Sequence, residues 1–263
     1  MPDKLVVWGE QMRRHAIKYL GISNQKIECF GAAQFEIYKK PPKENRVELA
    51  NFFNVDPCKK ILLYAGVGSS GCETLYLKLL EKAIKNNILQ DCHIIYRPHP
   101  WRGGLAEKEE DFLSLKWDHV TIDPSMIDYY KSVIKSNSGK LFLADYVVSN
   151  KILTLADAVI SPLSTMLIES MIKGKPVLAF FPESGHYKSL KKMDNLHFAE
   201  FLKINEVNTC YLEKDFISSC QTLVSQIGDT SFSKILKKEA EFFNPKREKS
   251  YGRQLAELAE RML

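Results

Sequence analysis

The stretch Ala156 to Pro182, ADAVISPLSTMLIESMIKGKPVLAFFP, constrains the fold more than any other part of the chain. A short apolar run, Ala158 to Ile160, leads into a turn of small residues, Ser161 to Thr165, then a helical segment and a second apolar run, Val177 to Phe181. Strand, loop, helix and strand in that order form a right-handed crossover between two parallel strands, with the loop at the carboxyl end of the first. Ser164 or Thr165 is placed to cap the helix, and Glu169 lies one turn further in. A helix N-terminus with free N–H groups and hydroxyls beside it suits a phosphate. Taken alone, an S/T-x-x-x-E spacing reads more simply as a cap, so a ligand-holding role needs support from elsewhere in the chain.

That support comes from two further strand ends. Lys60 to Ala65 is a continuous apolar run of the kind buried on both faces of a parallel sheet. It enters Gly66-Val67-Gly68-Ser69-Ser70-Gly71 ahead of an amphipathic helix that runs through Ile84. This is formally G-x-G-x-x-G between strand and helix, where glycines let backbone N–H groups approach a pyrophosphate. The next strand, His93 to Tyr96, would end on an acidic residue if the ligand were NAD; it ends on Arg97, which suits a 2′-phosphate or another phosphate. Arg97-Pro98-His99-Pro100 follows, and its two prolines hold the chain extended and fix the direction of the His99 ring. A histidine in a loop is otherwise read as a surface or satisfied side chain.

Composition is ordinary for a soluble globular protein: 263 residues, 45% hydrophobic, 26% charged and a net charge of +5. That charge is too mild for a dedicated nucleic-acid binder, and it is compatible with anionic ligands or peripheral contact with an anionic membrane. The six cysteines form no C-x-x-C pair and no zinc-like spacing. They are expected to be reduced thiols, the expected location is the cytoplasm, and no metal site is expected. No apolar run approaches the roughly 20 residues a membrane span needs.

The remaining segments set the organisation. Lys4 to Trp8 and Ile27 to Phe30 read as strands around a helix from Glu10 to Leu20 that ends at Gly21. Tyr38 to Asn45, with Pro41, Pro42 and four charges, reads as a linker or surface loop. The boundary therefore falls near residue 40, with residues 1–40 ahead of a nucleotide-binding domain over 41–263. Val120 to Asp123 reads as a strand, Ser125 to Ser138 as mostly helical, Asn150 to Ala156 as a helix, and Tyr251 to Leu263 as a terminal amphipathic helix. Glu183 to Tyr187 reads as another loop at a strand's carboxyl end.

Three segments carry a family resemblance: R-P-H-P at Arg97 to Pro100, S-P-L-S-T-M-L-I-E-S at Ser161 to Ser170, and G-K-P-V-L-A at Gly174 to Ala179. Together they resemble the carboxyl-terminal nucleotide-binding domain of GT-B glycosyltransferases. The likeness is to bacterial surface-carbohydrate enzymes: the capsule and lipopolysaccharide transferases and the CDP-glycerol glycerophosphotransferases. W-G-E at Trp8 to Glu10 and F-G-A-A-Q-F-E at Phe30 to Glu36 are similar to the segment where those enzymes leave their amino-terminal domain.

The resemblance implies an α/β fold, a Rossmann-like parallel sheet with helices on both faces. It implies a transferase that uses a nucleotide-sugar or CDP-glycerol donor in surface-polysaccharide synthesis, with the donor as substrate and no separate cofactor. Carried over by position, His99 contacts the donor phosphate as the catalytic residue. Ser164 and Thr165 donate to the same phosphates with Arg97, Gly66, Gly68 and Ser69 beside them, and Glu169 faces the ribose. Residues 1–40 then correspond to the end of an amino-terminal domain or to the interdomain segment. On that view the chain alone binds donor but transfers poorly unless a partner protein or a second copy supplies the other wall, and its first strands leave an apolar face. The alternatives are a nucleotide-sugar 2-epimerase, an NADP-dependent oxidoreductase using Gly66 to Gly71 with Arg97, and a non-catalytic nucleotide-binding module.

Overall fold

The most apolar runs of the chain become the central strands of a parallel sheet. A computed structural model describes residues 3–67, 73–99, 114–127, 129, 145–182 and 198–263. Among these, six strands form one sheet: β3 (Lys60–Ala65), β4 (Cys92–Arg97), β5 (Val120–Ile122), β6 (Ala158–Ser161), β7 (Val177–Phe180) and β8 (Asn208–Cys210). Their order is β5-β4-β3-β6-β7-β8, and every neighbouring pair is parallel. The chain thus starts at the centre, winds outward to one edge, and returns beside its first strand to wind out to the other. The reversal lies between β3 and β6, and in sheets of this kind ligands bind outside the strand ends at that switch.

Alternation along each strand explains the layers. Ile61, Leu63, Ala65, Val159, Val177 and Ala179 point to one face, against α2 (Arg46–Phe52), α4 (Tyr146–Leu155), α5 (Thr165–Ile172) and α7 (Thr230–Ala240). Leu62, Tyr64, Ile94, Tyr96, Ile160 and Leu178 point to the other, against α3 (Glu73–Lys85) and α6 (Phe216–Ser225). Each fully buried aliphatic side chain contributes about 1.5 to 3 kcal/mol, which is why these runs cannot be placed at a surface. Helices on both faces of a parallel sheet give the Rossmann-like α/β class that the sequence implied.

Ahead of this sheet, β1 (Leu5–Val7), α1 (Glu10–Leu20) and β2 (Ile27–Cys29) form a small parallel βαβ unit around Val7, Ala16, Ile22, Ile27 and Cys29. The helix stops where expected because Gly21 takes φ +63°, a left-handed cap that costs glycine little. Met12, Ile17, Tyr19 and Leu20 of α1 remain exposed. The end of the chain packs back on this unit through α8 (Tyr251–Glu260): the Tyr251 amide donates to Glu36 Oε1 at 2.7 Å and Gln254 Nε2 to the Phe30 carbonyl at 3.2 Å. At Gly9 a Cβ would stand 2.5 Å from the Phe243 carbonyl oxygen, so this close approach requires glycine.

Several boundaries differ from the sequence reading. Residues 38–45 are not simply a linker: Tyr38 is buried at the end of a 3-10 segment, Ala33–Lys39, and Asn45 caps α2 in a reciprocal box with Glu48. The helix before β6 starts at Tyr146 rather than Asn150, because the Asp145 carboxylate accepts from the Val147 and Val148 amides. Most of 125–138 and all of 183–187 lie outside the described residues. No helix among the described residues is long and apolar enough to cross a membrane.

Candidate active site at the strand switch

The loops after β3, β4 and β6 leave the same sheet edge, because these strands are parallel neighbours. Hydrogen bonds tie their ends together. The Gly66 amide donates to the Arg97 carbonyl at 2.9 Å, and Ser161 Oγ donates to the Ala65 carbonyl at 2.7 Å. With its proton spent on Ala65, the Ser161 oxygen accepts from Ser164 Oγ at 2.8 Å.

Ser164 stands at the N-cap position of α5 with extended backbone, yet its hydroxyl does not cap the helix, since it is held by Ser161 instead. Thr165 opens the helix, exposed, and donates its hydroxyl to Glu169 Oε1 at 3.0 Å. Glu169 is only 4% exposed, and its Oε2 accepts from the Tyr38 hydroxyl. Burial raises the Glu169 pKa, while Tyr38, Thr165 and the nearby Arg97 charge pull it back.

A second tyrosine–carboxylate pair lies across the switch. Glu73, the first residue of α3, is fully buried and accepts from the Tyr96 hydroxyl and, at 2.7 Å, from the Val67 amide. A Cβ on Gly66 would stand 2.5 Å from Glu73 Oε2, so this glycine makes room for a carboxylate. The expectation that the turn offers its amides to a pyrophosphate is revised for Val67, whose N–H is already taken and faces negative charge. Gly68 and Ser69 lie outside the described residues. Glu73 also acts on His99, which is partly buried: burial lowers the imidazole pKa and the Glu73 charge opposes that shift.

Arg97 has protein partners of its own. Its side chain is 11% exposed, Nη1 donates to Asp123 Oδ2 at 3.1 Å, and Nη2 donates to Ser149 Oγ at 3.2 Å. Asp123 is fully buried at the end of β5, where it also accepts from the Ser125 amide and hydroxyl. The guanidinium therefore balances a buried carboxylate and ties the end of β4 to Asp123 and Ser149.

Sequence reasoning did not single out Glu73, Tyr96, Asp123, Ser161 or Tyr38. For Glu73 a signal existed: an acid two residues past the last glycine of the Gly66 to Gly71 run and at a helix start. Among the described residues no three His, Cys, Asp or Glu side chains come together as a metal site would need. Among the described residues no two cysteines are joined by a disulfide, and burial pushes the Cys92 thiol up to about 11.

No family model matches the chain, and no curated protein matches it. Solved structures do. The wall teichoic acid polymerase TagF matches with a TM-score of 0.60 and 12% identity, over 98% of this chain and 57% of that one. A protein from Listeria monocytogenes assigned as a UDP-N-acetylglucosamine 2-epimerase matches with a TM-score of 0.58 and 12% identity, over 97% of this chain and 57% of that one. A glycosyltransferase from Rickettsia africae ESF-5 matches with a TM-score of 0.50 and 13% identity, over 98% and 63%. The chain therefore spans less than two thirds of the length of each. At these identities the likeness is one of fold, and the fold is the Rossmann-like α/β architecture of GT-B structures.

Proposed function

We propose that this chain is the donor-binding part of a transferase that uses a nucleotide-sugar or CDP-glycerol and acts in surface-polysaccharide synthesis. One observation carries the reading: the His99, Ser164 and Gly66 loops meet at the sheet's switch point, with Thr165 exposed at the start of α5. His99, Ser164, Thr165 and the first-turn amides of α5 are assigned to the donor phosphates, and Glu169 to the ribose. In the reaction an acceptor hydroxyl forms a bond to the transferred group as the bond to the nucleotide breaks. Negative charge grows on the departing phosphate, where an imidazolium, hydroxyls and helix amides stabilise it. Arg97 and Asp123 hold the ends of β4 and β5 in place beneath these loops.

The same geometry weighs against the alternatives. An NADP site would use Arg97 for the 2′-phosphate, and that guanidinium is paired with Asp123 and Ser149. An epimerase needs an acid and a base open to the sugar, whereas Glu73 is fully buried and engaged by Tyr96 and the Val67 amide. The test is a melting series with CDP, UDP, GDP and NADP. A ligand at about 100 times its Kd adds roughly 2.7 kcal/mol of stability. A rise in Tm with one nucleoside diphosphate supports the reading; a rise with NADP alone, or with none, contradicts it.

A further inference from the structure

We propose that Tyr38 is a positioning residue for the donor ribose, holding Glu169 so that the site distinguishes ribonucleotides from deoxyribonucleotides; this rests on the donor-site reading above. Tyr38 lies more than a hundred residues from Glu169, in the segment between β2 and α2, yet its hydroxyl donates to Glu169 Oε2. The segment is clamped around it. Asn150 Nδ2 of α4 donates to the carbonyls of Ile37 and Lys40, at 3.3 and 2.9 Å. The Tyr38 ring packs on Phe35 at 5.7 Å, Phe35 packs on Trp8 at 5.2 Å, and Lys173 Nζ lies 5.8 Å from the Tyr38 ring centre. A buried phenol held on several sides keeps its one proton aimed at one oxygen.

The two hydroxyls on Glu169 are not equivalent. Tyr38 is buried, whereas Thr165 is exposed at the first position of α5, beside the place assigned to the phosphates. A carboxylate has about four acceptor positions, so Glu169 can keep Tyr38 and take a ribose hydroxyl as well. When donor arrives, Thr165 turns its hydroxyl from Oε1 to a phosphate oxygen, and Oε1 takes the proton of a ribose hydroxyl. Thr165 thereby links the phosphate and ribose positions, and Tyr38 keeps the carboxylate still during the exchange. Against burial, Tyr38, Thr165 and the Arg97 charge hold the Glu169 pKa down, and Tyr146 of α4 is a further titratable group that interacts with it; removing the Tyr38 proton donor removes one of these restraints. Glu169 then protonates at a higher pH and loses acceptor capacity there.

The experiment compares the Kd values of CDP and UDP with those of their 2′-deoxy counterparts, for wild type, Tyr38→Phe, Glu169→Gln and Thr165→Val, from pH 5.5 to 8. Wild type is expected to prefer the ribonucleotide by about tenfold, one hydrogen bond to a charged group. Y38F should cut that preference several-fold by weakening the ribonucleotide alone, with the remaining preference lost at a higher pH than in wild type. T165V should weaken ribo and deoxy forms together. E169Q should abolish the preference, which keeps the test decisive if Y38F does not fold. A Y38F protein with the wild-type ratio, equal weakening of both forms, or an E169Q protein that still discriminates overturns the proposal. Wild type binding both forms equally overturns it while leaving the donor site standing, and no binding of any nucleotide overturns both.

Discussion

Ser161 and Ser164 share a 2.8 Å hydrogen bond between their hydroxyls, and this contact, not helix capping, fixes the Ser164 side chain at the mouth of α5. Because Ser161 gives its own proton to the Ala65 carbonyl, the pair links the end of β6 to the end of β3 across the switch. Ser161→Ala leaves that buried carbonyl without its donor and should cost about 1 to 3 kcal/mol in urea unfolding. Ser164→Ala removes only a bond into Ser161 and should cost less. Equal, negligible losses in both variants would mean that the strand ends are held by other contacts.

Arg97 holds a second link at the strand ends, an ion pair with Asp123 and a hydrogen bond to Ser149. Arg97→Met strands Asp123, a fully buried carboxylate, with only its Ser125 contacts. Removing one partner of a buried ion pair costs roughly 3 to 5 kcal/mol, and urea unfolding of the variant should show a loss of that order. A loss below about 1 kcal/mol would say that Asp123 finds water and that the pair is not a buried one.

Lys173 supplies a pH signature. Burial, with Lys175 and Lys237 nearby, lowers its pKa from 10.5 to about 8. Between these values the unfolded chain binds more protons than the folded one, so stability rises with pH from about 8 to 10.5. Lys175, shifted the same way, adds to the rise. Lys173→Met should flatten that rise in melts across the window. Superimposable slopes for wild type and variant would show that Lys173 is solvated.

What the sequence made legible were the elements whose signal is local. The continuous apolar runs at Lys60 to Ala65 and Val177 to Phe181 became β3 and β7, and Gly21 ended α1. The convergence of three loops on one edge followed from such runs, because each loop leaves the carboxyl end of a parallel strand, whereas the strand order that sets the switch is a long-range pairing. What stayed hidden were partnerships across long sequence separations. Tyr38 sits in a charged, proline-containing stretch, and nothing local says that its hydroxyl ends on Glu169. Arg97 and Glu73 carry no mark of the carboxylate or amide each one satisfies, and these pairings decide which groups remain to meet a ligand. Strand β8, only three residues long, was not separable from the surrounding short apolar runs.

The central claim, a nucleotide phosphate held beside His99 at the strand switch, is tested most directly by calorimetric titration of wild type and His99→Ala with CDP, UDP and GDP between pH 5.5 and 8. Burial keeps the free imidazole neutral above its lowered pKa, and an anionic phosphate favours the protonated form. Wild-type affinity should therefore strengthen as pH falls from about 7.5 to 6. H99A should bind about 1 to 3 kcal/mol more weakly, roughly 5- to 150-fold, and lose most of that pH slope. Binding of none of the three nucleotides, or an H99A titration with wild-type affinity and slope, would contradict the account.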